Sequence, residues 1–169
     1  HGDGFIHISD VDFIVENNED LPTMGAVPIS EKDEIMGRFI AGAIPNGATI
    51  QIGVGGVPNA VCKFLKGKKD LGIHTEFFSD TMLELIEQGI VTNKMKKIHN
   101  GKSLFTFAIG SKGVYDYIDR NPAVESYQVS YTNNPEIISR HDNMIAVNAA
   151  VQVDLTGQCC SEAIGWRQF

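Results

Sequence analysis

One stretch of the chain joins a short apolar run, a glycine-rich loop and a helical pattern. Residues 48–52 read as a buried strand, and Gly53-Val54-Gly55-Gly56-Val57-Pro58 follow it directly. Apolar side chains then return at helical spacing over residues 59–65. A strand that leads through glycines into a helix is the basic unit of α/β folds, so this stretch constrains the fold class more than any other.

Further strands and helices alternate along the rest of the chain. The patterns predict strands over residues 71–78, 104–109, 127–131 and 145–155, with another extended piece from residue 160. They predict helices from Asp80 to Ile90, Val114 to Arg120 and Pro135 to Ser139. We therefore expect an α/β fold, a mainly parallel sheet flanked by helices with some antiparallel strands. Ligands of such sheets bind beyond the carboxyl ends of the strands.

The chain divides at about residue 30. Residues 5–15 alternate as an extended segment with a turn at Ser9 and Asp10, and residues 16–29 are polar with the punctuation of a linker. Ser30 then opens a helix, with Asp33 in a capping-box position. The apolar residues of this helix, at helical spacing, are Ile35, Met36, Phe39, Ile40 and Ile44. We expect an extended segment and linker over residues 1–29 and one catalytic domain over residues 30–169.

Charge and cysteine content exclude several classes of protein. The 169 residues carry a formal charge of −7, which disfavours nucleic-acid partners. No apolar run reaches the roughly 20 residues of a membrane span, so no membrane partner is predicted. Three cysteines, two of them adjacent at 159 and 160, form no disulfide framework. We expect reduced thiols and a cytoplasmic protein.

The glycine-rich loop does not match a dinucleotide-binding fingerprint. The third glycine of G-x-G-x-x-G falls at position 58, which is proline. What remains is a loop whose backbone N–H groups could approach an anion or an oxyanion closely. The alternative is a tight structural turn.

No metal site is predicted. His74-Thr75-Glu76 has the H-x-E form of zinc deaminases, but no P-C-x-x-C follows it. The histidines at 1, 7, 74, 99 and 141 include no pair at the i, i+4 spacing of a helical metal site. Asn100-Gly101-Lys102-Ser103 lacks the first glycine of a P-loop and precedes a strand, so it is a turn.

Glu76 is the most distinctive charged residue. It ends a segment that is apolar apart from its neighbours His74 and Thr75, and a carboxylate there is costly unless it is paired or used. It is either a catalytic carboxylate facing the glycine loop or, with Asp80, a charge at the start of the next helix. Asn148, Gln152 and Asp154 alternate within a later apolar strand. They either line a cleft or form the solvent face of an edge strand.

Several blocks together resemble the acetyl-CoA hydrolase/transferase family of class I CoA-transferases, nearest to the 4-hydroxybutyrate and butyryl-CoA:acetate CoA-transferases. The blocks are residues 1–7, 51–61, 71–76, 78–80, 121–125, 139–144 and 151–158. Their order along the chain makes the resemblance specific. Thr81 departs from the glycine that commonly follows the Ser-Asp pair in this branch.

The resemblance implies a reaction and its residues. Glu76 would attack an acyl-CoA and carry CoA as a glutamyl thioester, and the loop at Gly53, Val54, Gly55 and Gly56 would bind the oxyanion and CoA. Contacts to CoA or substrate would come from His74, Asn148 and Gln152. Coenzyme A is then a substrate and covalent intermediate, and no cofactor is permanently bound.

The resemblance also implies partners. An acyl-CoA and a small carboxylate such as acetate are the expected substrates, and a homo-oligomer is expected. Members resembling this chain have an N-terminal domain of similar size and a later glycine-rich block, so the chain looks like a truncated C-terminal half. We expect it alone to fold but to transfer little CoA. The alternatives are a short-chain acyl-CoA hydrolase and a catalytically silent piece of the fold.

Overall fold

A computed structural model describes residues 1–25 and 27–168 of the chain. The helices are α1 (Glu31–Ala43), α2 (Gly56–Phe64), α3 (Asp80–Glu87), α4 (Lys112–Ile118), α5 (Val129–Thr132) and α6 (Pro135–Ile138), with 3-10 turns at Ile8–Asp10 and Leu65–Gly67. The strands are β1 (Thr49–Ile52), β2 (Gly72–Ile73), β3 (Phe77–Phe78), β4 (Ser103–Phe105), β5 (Phe107–Ala108), β6 (Val124–Ser126), β7 (Met144–Val147), β8 (Gln152–Val153), β9 (Cys159–Cys160), β10 (Ala163–Ile164) and β11 (Arg167–Gln168).

Parallel strands form the centre of the fold. Strand β1 lies between β2 and β7, with Thr49 opposite both Gly72 and Met144. A parallel bridge from His74 to Leu104 connects β2 to β4, which pairs in parallel with β6. The spatial order is therefore β7-β1-β2-β4-β6, and β3 pairs in parallel with β5. Two small antiparallel pairs, β8-β9 and β10-β11, follow near the end of the chain. This architecture confirms the predicted fold class.

The central strands of the sheet, β1, β2 and β4, are largely buried on both faces, as the strands of parallel sheets usually are. Ile50, Ile73 and Leu104 are fully buried at its centre. Side chains complete the hydrogen bonds of the short strand β2: the Ile73 N–H donates to Asn93 Oδ1 at 2.8 Å, and Lys96 Nζ donates to the Ile73 carbonyl at 2.8 Å. A lysine that is only 3% exposed is thus retained because it satisfies buried carbonyls.

Helix α1 begins as its sequence predicts but buries a different face. Ser30 and Asp33 form the predicted capping box. The large apolar side chains of Ile35, Met36 and Phe39 are 53%, 45% and 78% exposed. The helix instead packs through small residues: a Cβ placed on Gly37 would lie 2.7 Å from the Ala60 Cβ of α2. The close approach of α1 to α2 therefore depends on the absence of a side chain at Gly37.

Gly37→Ala should destabilise the protein by about 1–3 kcal/mol, because the new methyl group overlaps backbone atoms of α2 that have little room to move. Gly42→Ala is the matched control, since a Cβ at that position of the same helix meets nothing within 4 Å. It should be neutral or stabilising by up to about 1 kcal/mol. Urea unfolding of both variants provides the measurement, and equal effects would show that the two helices can separate freely.

Several predicted strands were too long or wrong. Residues 71–78 and 104–109 each form two short strands, because the chain changes pairing partner within them. Residues 129–132 form α5 instead of the strand predicted over 127–131. The long strand predicted over 145–155 ends at Val147. The last hydrogen bond between the two neighbouring segments there runs from the Gly53 N–H to the Val147 carbonyl. Residues 5–15 contain only a 3-10 turn and are largely exposed.

Candidate active site

Glu76 lies where the chain passes from β2 to β3. The Thr75 N–H donates to the Leu104 carbonyl, and the Glu76 carbonyl accepts from the N–H groups of Thr106 and Phe107 at 2.9 and 3.0 Å. The backbone on both sides of the carboxylate is therefore fixed by strand neighbours. Because β1 and β2 are parallel, the loop that follows β1 emerges at the same edge of the sheet as Glu76.

The Glu76 side chain is half-buried, and among residues 1–25 and 27–168 it has one side-chain hydrogen-bond partner. Asn133, which follows α5, donates from Nδ2 to Glu76 Oε2 at 2.7 Å. The carboxylate faces a cavity of about 250 Å³, lined by Gln51, His74, Thr75, Glu76, Thr132, Asn133, Ile138, Met144, Ala146 and Asn148. The other carboxylate oxygen is therefore free to meet a molecule that enters this cavity.

Two amide side chains form a pair across the same cavity. Gln51 Nε2 donates to Asn148 Oδ1, and Asn148 Nδ2 donates to Gln51 Oε1, both at 3.0 Å. The pair joins the carboxyl ends of β1 and β7. Gly53 leaves space for it, since a Cβ there would lie 2.8 Å from Asn148 Oδ1. Each amide still has one donor hydrogen and one acceptor lone pair, so both can bind a polar ligand.

The glycine-rich loop lies at this sheet edge but outside the lining of the Glu76 cavity. Gly55 caps α2 with φ +135°, a conformation that side chains disfavour, and Val54 is 52% exposed. Val54 lines a neighbouring cavity with Phe77 and Ser79. A Cβ on Gly56 would lie 2.8 Å from Asp33 Cγ. Gly56 therefore has a packing reason to lack a side chain, independent of any substrate.

The sequence of this chain is similar to a known protein family and to several characterised relatives. A family model described as acetyl-CoA hydrolase/transferase C-terminal domain matches residues 110–169. The 4-hydroxybutyrate coenzyme A transferase of Clostridium kluyveri is 47% identical over 99% of this chain and 39% of its own length. The succinyl-CoA:cyclohexane-1-carboxylate CoA transferase of Geobacter metallireducens is 45% identical over 100% of this chain and 39% of its own.

A solved structure agrees with these matches. The 4-hydroxybutyrate CoA-transferase of Porphyromonas gingivalis superposes with a TM-score of 0.89 at 40% identity, over 94% of this chain and 41% of that one. This chain belongs to the acetyl-CoA hydrolase/transferase family. The chain spans about two fifths of the length of these family members.

The structure brings the predicted site residues only partly together. Glu76, His74 and Asn148 share one cavity. Gln152 lies on the exposed strand β8 and accepts from the Gly165 N–H. The turn between β8 and β9 is closed by Asp154, whose carboxylate accepts from Thr156 and Gln158. The alternation of residues 148–154 thus does not continue along one strand, and Gln152 does not line the Glu76 cavity.

His74 lines the cavity without a free ring nitrogen. Nε2 lies 2.7 Å from the Thr132 carbonyl oxygen, and Nδ1 lies 3.0 Å from His141 Nε2. The ring is 1% exposed. A direct hydrogen bond to substrate would therefore require one of these contacts to break.

Two residues of the site were not singled out from the sequence. Gln51 sits in an apolar strand as its only amide, and Asn133 lies in a polar stretch of the kind that usually forms an exposed loop. The signal for Asn133 is the pair Asn133-Asn134 before Pro135: Asn134 caps α6 by accepting from the Glu136 N–H, so the sequence gives the first asparagine no local role.

Within residues 1–25 and 27–168, no cluster of three metal-ligating side chains occurs. None of the helices described is long and apolar enough to cross a membrane.

Buried basic groups surround the back of the site. Burial, with smaller effects from His74, Lys96 and His99, lowers the pKa of His141 to about 4, against the opposing charge of Asp142. Burial also lowers the pKa of His74. The pKa of Lys96 falls to about 7 for the same reason, although Glu125 opposes the shift. At neutral pH the two histidines are therefore uncharged.

The free energy of unfolding should fall as the pH drops from about 6.5 to about 4. The unfolded chain binds a proton at His141 near its ordinary pKa of about 6.5, whereas the folded protein does so only near 4. The contribution of His141 to stability is therefore lost across that window and is constant below it, where carboxyl groups with lowered pKa, such as Asp33 and Asp70, begin to lose theirs. Lys96 titrates at higher pH, so it does not contribute there. Urea unfolding between pH 4 and 7 should show a smaller slope for His141→Phe, and identical slopes would contradict the buried neutral ring.

Gly56→Ala should destabilise the protein through Asp33, by about 1 kcal/mol, because the methyl group displaces the carboxylate of the capping box of α1. Asp33→Ala alone should cost about 1 kcal/mol through loss of the cap. In the double variant the clash is absent, so its cost should be clearly less than the sum of the two. Urea unfolding of the three variants measures this coupling. Strict additivity would mean that Gly56 does not act through the cap.

Proposed function

We propose that this chain carries the nucleophile of an enzyme that moves CoA between an acyl-CoA and a carboxylate, through a glutamyl-CoA thioester on Glu76. The observation that carries the proposal is the Glu76 carboxylate at the carboxyl edge of a parallel sheet, with one oxygen held by Asn133 and the side chain lining an open cavity that also contains the amides of Gln51 and Asn148. The names of the relatives support a CoA-transferase. In its narrower form, the proposal takes 4-hydroxybutyryl-CoA or butyryl-CoA as the CoA donor and acetate as the acceptor.

Each step follows from carboxylate chemistry. A Glu76 oxygen attacks the thioester carbonyl, the C–S bond breaks, and an acyl-glutamyl anhydride and CoA thiolate form. The thiolate attacks the side-chain carbonyl carbon of Glu76 in the anhydride. This attack forms the glutamyl-CoA thioester and releases the carboxylate of the first acyl group. An acceptor carboxylate then attacks this thioester, and the same two steps in reverse give the new acyl-CoA and free Glu76.

The residues around Glu76 have separate parts in this scheme. Asn133 is proposed to hold the Glu76 carboxylate before attack and to donate to the oxyanion that develops on the Glu76 side chain. One such donor is typically worth about 2.7–4 kcal/mol in the transition state. The amide pair of Gln51 and Asn148 offers donors to the substrate acyl group. The backbone N–H groups at Val54 and Gly55 are the proposed donors to the substrate oxyanion.

The remaining walls of the site are proposed to come from polypeptide outside these 169 residues. The chain spans 39% of the C. kluyveri relative. Its Glu76 cavity is open, and the outer face of α1 exposes Ile35, Met36 and Phe39. Exposed apolar side chains on one helix face are typical of an interface. We therefore propose that a further domain covers this surface and that the enzyme is a homo-oligomer located in the cytoplasm.

Glu76→Gln should abolish transfer in the full-length protein while leaving the fold intact, because an amide cannot form the anhydride. Incubation of the wild type with butyryl-CoA should add the mass of CoA less one water, and peptide mapping should place the adduct on Glu76. Borohydride reduces the thioester, so it should inactivate only enzyme that was first treated with acyl-CoA.

The matched control is Glu87→Gln, a change of an exposed glutamate on α3. It should retain the adduct and the activity. An active Glu76→Gln variant, or an adduct on another residue, would refute the proposal. CoA release that does not depend on acetate would instead identify a hydrolase on the same scaffold.

A further inference from the structure

Two histidines are buried together behind Glu76, and the proposed reaction does not use them. His74 and His141 are 1% and 5% exposed, and their rings meet edge to face with centroids 4.9 Å apart. His141 Nε2 lies 3.0 Å from His74 Nδ1, and His74 Nε2 lies 2.7 Å from the carbonyl oxygen of Thr132. The histidines thus form a chain of hydrogen bonds that ends on the backbone next to Asn133.

The partners determine which nitrogen carries each proton. A carbonyl oxygen only accepts, so His74 Nε2 must carry a hydrogen. In a neutral His74 ring, Nδ1 is then an acceptor, and the hydrogen between the rings belongs to His141 Nε2. His141 Nδ1 is left as a buried acceptor, and it has no hydrogen-bond partner among the described residues. One tautomer of each ring therefore accounts for both hydrogen bonds, from His141 to His74 and from His74 to Thr132.

The same two segments meet twice. His74 contacts Thr132, and two residues further along the chain Glu76 contacts Asn133, also at 2.7 Å. The segment that carries Thr132 is α5, which has only four residues and no side-chain cap at its N-terminus. So short a helix has little stability of its own. Its position relative to Glu76 must come from side chains that hold it.

We propose that the pair His74–His141 positions Asn133 against Glu76, with His141 fixing the tautomer in which His74 donates to the Thr132 carbonyl. The pair is a positioning device and contacts no substrate. Loss of either donor frees the end of α5, so the Asn133 amide is no longer held at the carboxylate. This inference rests on the proposed role of Glu76, and it adds a reason why two histidines occupy a buried site where apolar side chains would pack at lower cost.

The test uses variants of the full-length protein that keep or remove one hydrogen bond. His74→Phe removes the donor to Thr132, and His74→Gln keeps an Nε2 donor at nearly the same reach. His141→Phe leaves His74 Nδ1 without a donor, which permits the opposite tautomer. Val114→Ala, at the fully buried residue of α4, is the control for general loss of stability.

Transfer from butyryl-CoA to acetate should lose roughly 10- to 100-fold in kcat in both phenylalanine variants, as expected when a reacting group is misplaced by about 1 Å. KM should change little, because the pair does not touch substrate. His74→Gln should recover most of the rate. Val114→Ala should lower the melting temperature with kcat near that of the wild type. A His74→Phe variant with the kcat of Val114→Ala, or no recovery in His74→Gln, would overturn the inference.

A readout that does not need activity is the tautomer itself. In wild-type protein labelled with 15N-histidine, long-range proton–nitrogen spectra at pH 7 should show Nε2–H forms for both His74 and His141. In His141→Phe, His74 should lose the pure Nε2–H signature. A protonated nitrogen at Nδ1 of either ring in the wild type would refute the assigned chain. In the transfer assay with butyryl-CoA and acetate, an active Glu76→Gln variant would refute the proposed function. An inactive Glu76→Gln variant together with a fully active His74→Phe variant would refute only the inference about the histidine pair.

Discussion

The change of hydrogen-bonding partner at Glu76 is the constraint on which the site depends. Up to His74 the chain pairs with β1, and from Thr75 onwards it bonds to residues of the β4–β5 segment. The Glu76 carbonyl accepts two N–H groups from that segment. A carboxylate in the middle of a continuous strand would project into a packed layer, whereas at this crossing it reaches the open edge of the sheet. Rigid backbone on either side then fixes its direction, which a loop would not do.

Polar groups beneath this edge are retained because each satisfies a neighbour. Lys96 donates to the carbonyls of Ile73 and Lys102, and Asn93 accepts from the Ile73 N–H while donating to Ser103. These side chains replace backbone hydrogen bonds that a two-residue strand does not make. Removing one partner would leave another buried and unsatisfied, which typically costs about 1–3 kcal/mol. The network therefore supports β2, and β2 in turn leads into Glu76.

Much of the architecture follows from local sequence, for physical reasons. The capping box of Ser30 and Asp33 is formed by residues three apart, and the short strand before Gly53 needs only its own apolar pattern to be recognised. Glu76 could be named as a candidate because a carboxylate beside buried strand residues is costly unless it is paired or used. Strand ends were less predictable. The alternation from 145 to 155 runs past Val147, but a strand ends where its partner ends, and β1 stops at Ile52.

The sequence by itself determined the α/β order, the family resemblance and Glu76 as the candidate nucleophile, because these depend on patterns within short windows. Only the tertiary structure decided which side chains surround that glutamate. Asn133 meets Glu76 across 57 positions of sequence, and Gln51 meets Asn148 across 97. It also showed that His74 is held by His141 and Thr132, and that α1 packs through Gly37. Contacts of this kind depend on the packing of strands and helices distant in the chain, and no local pattern records them.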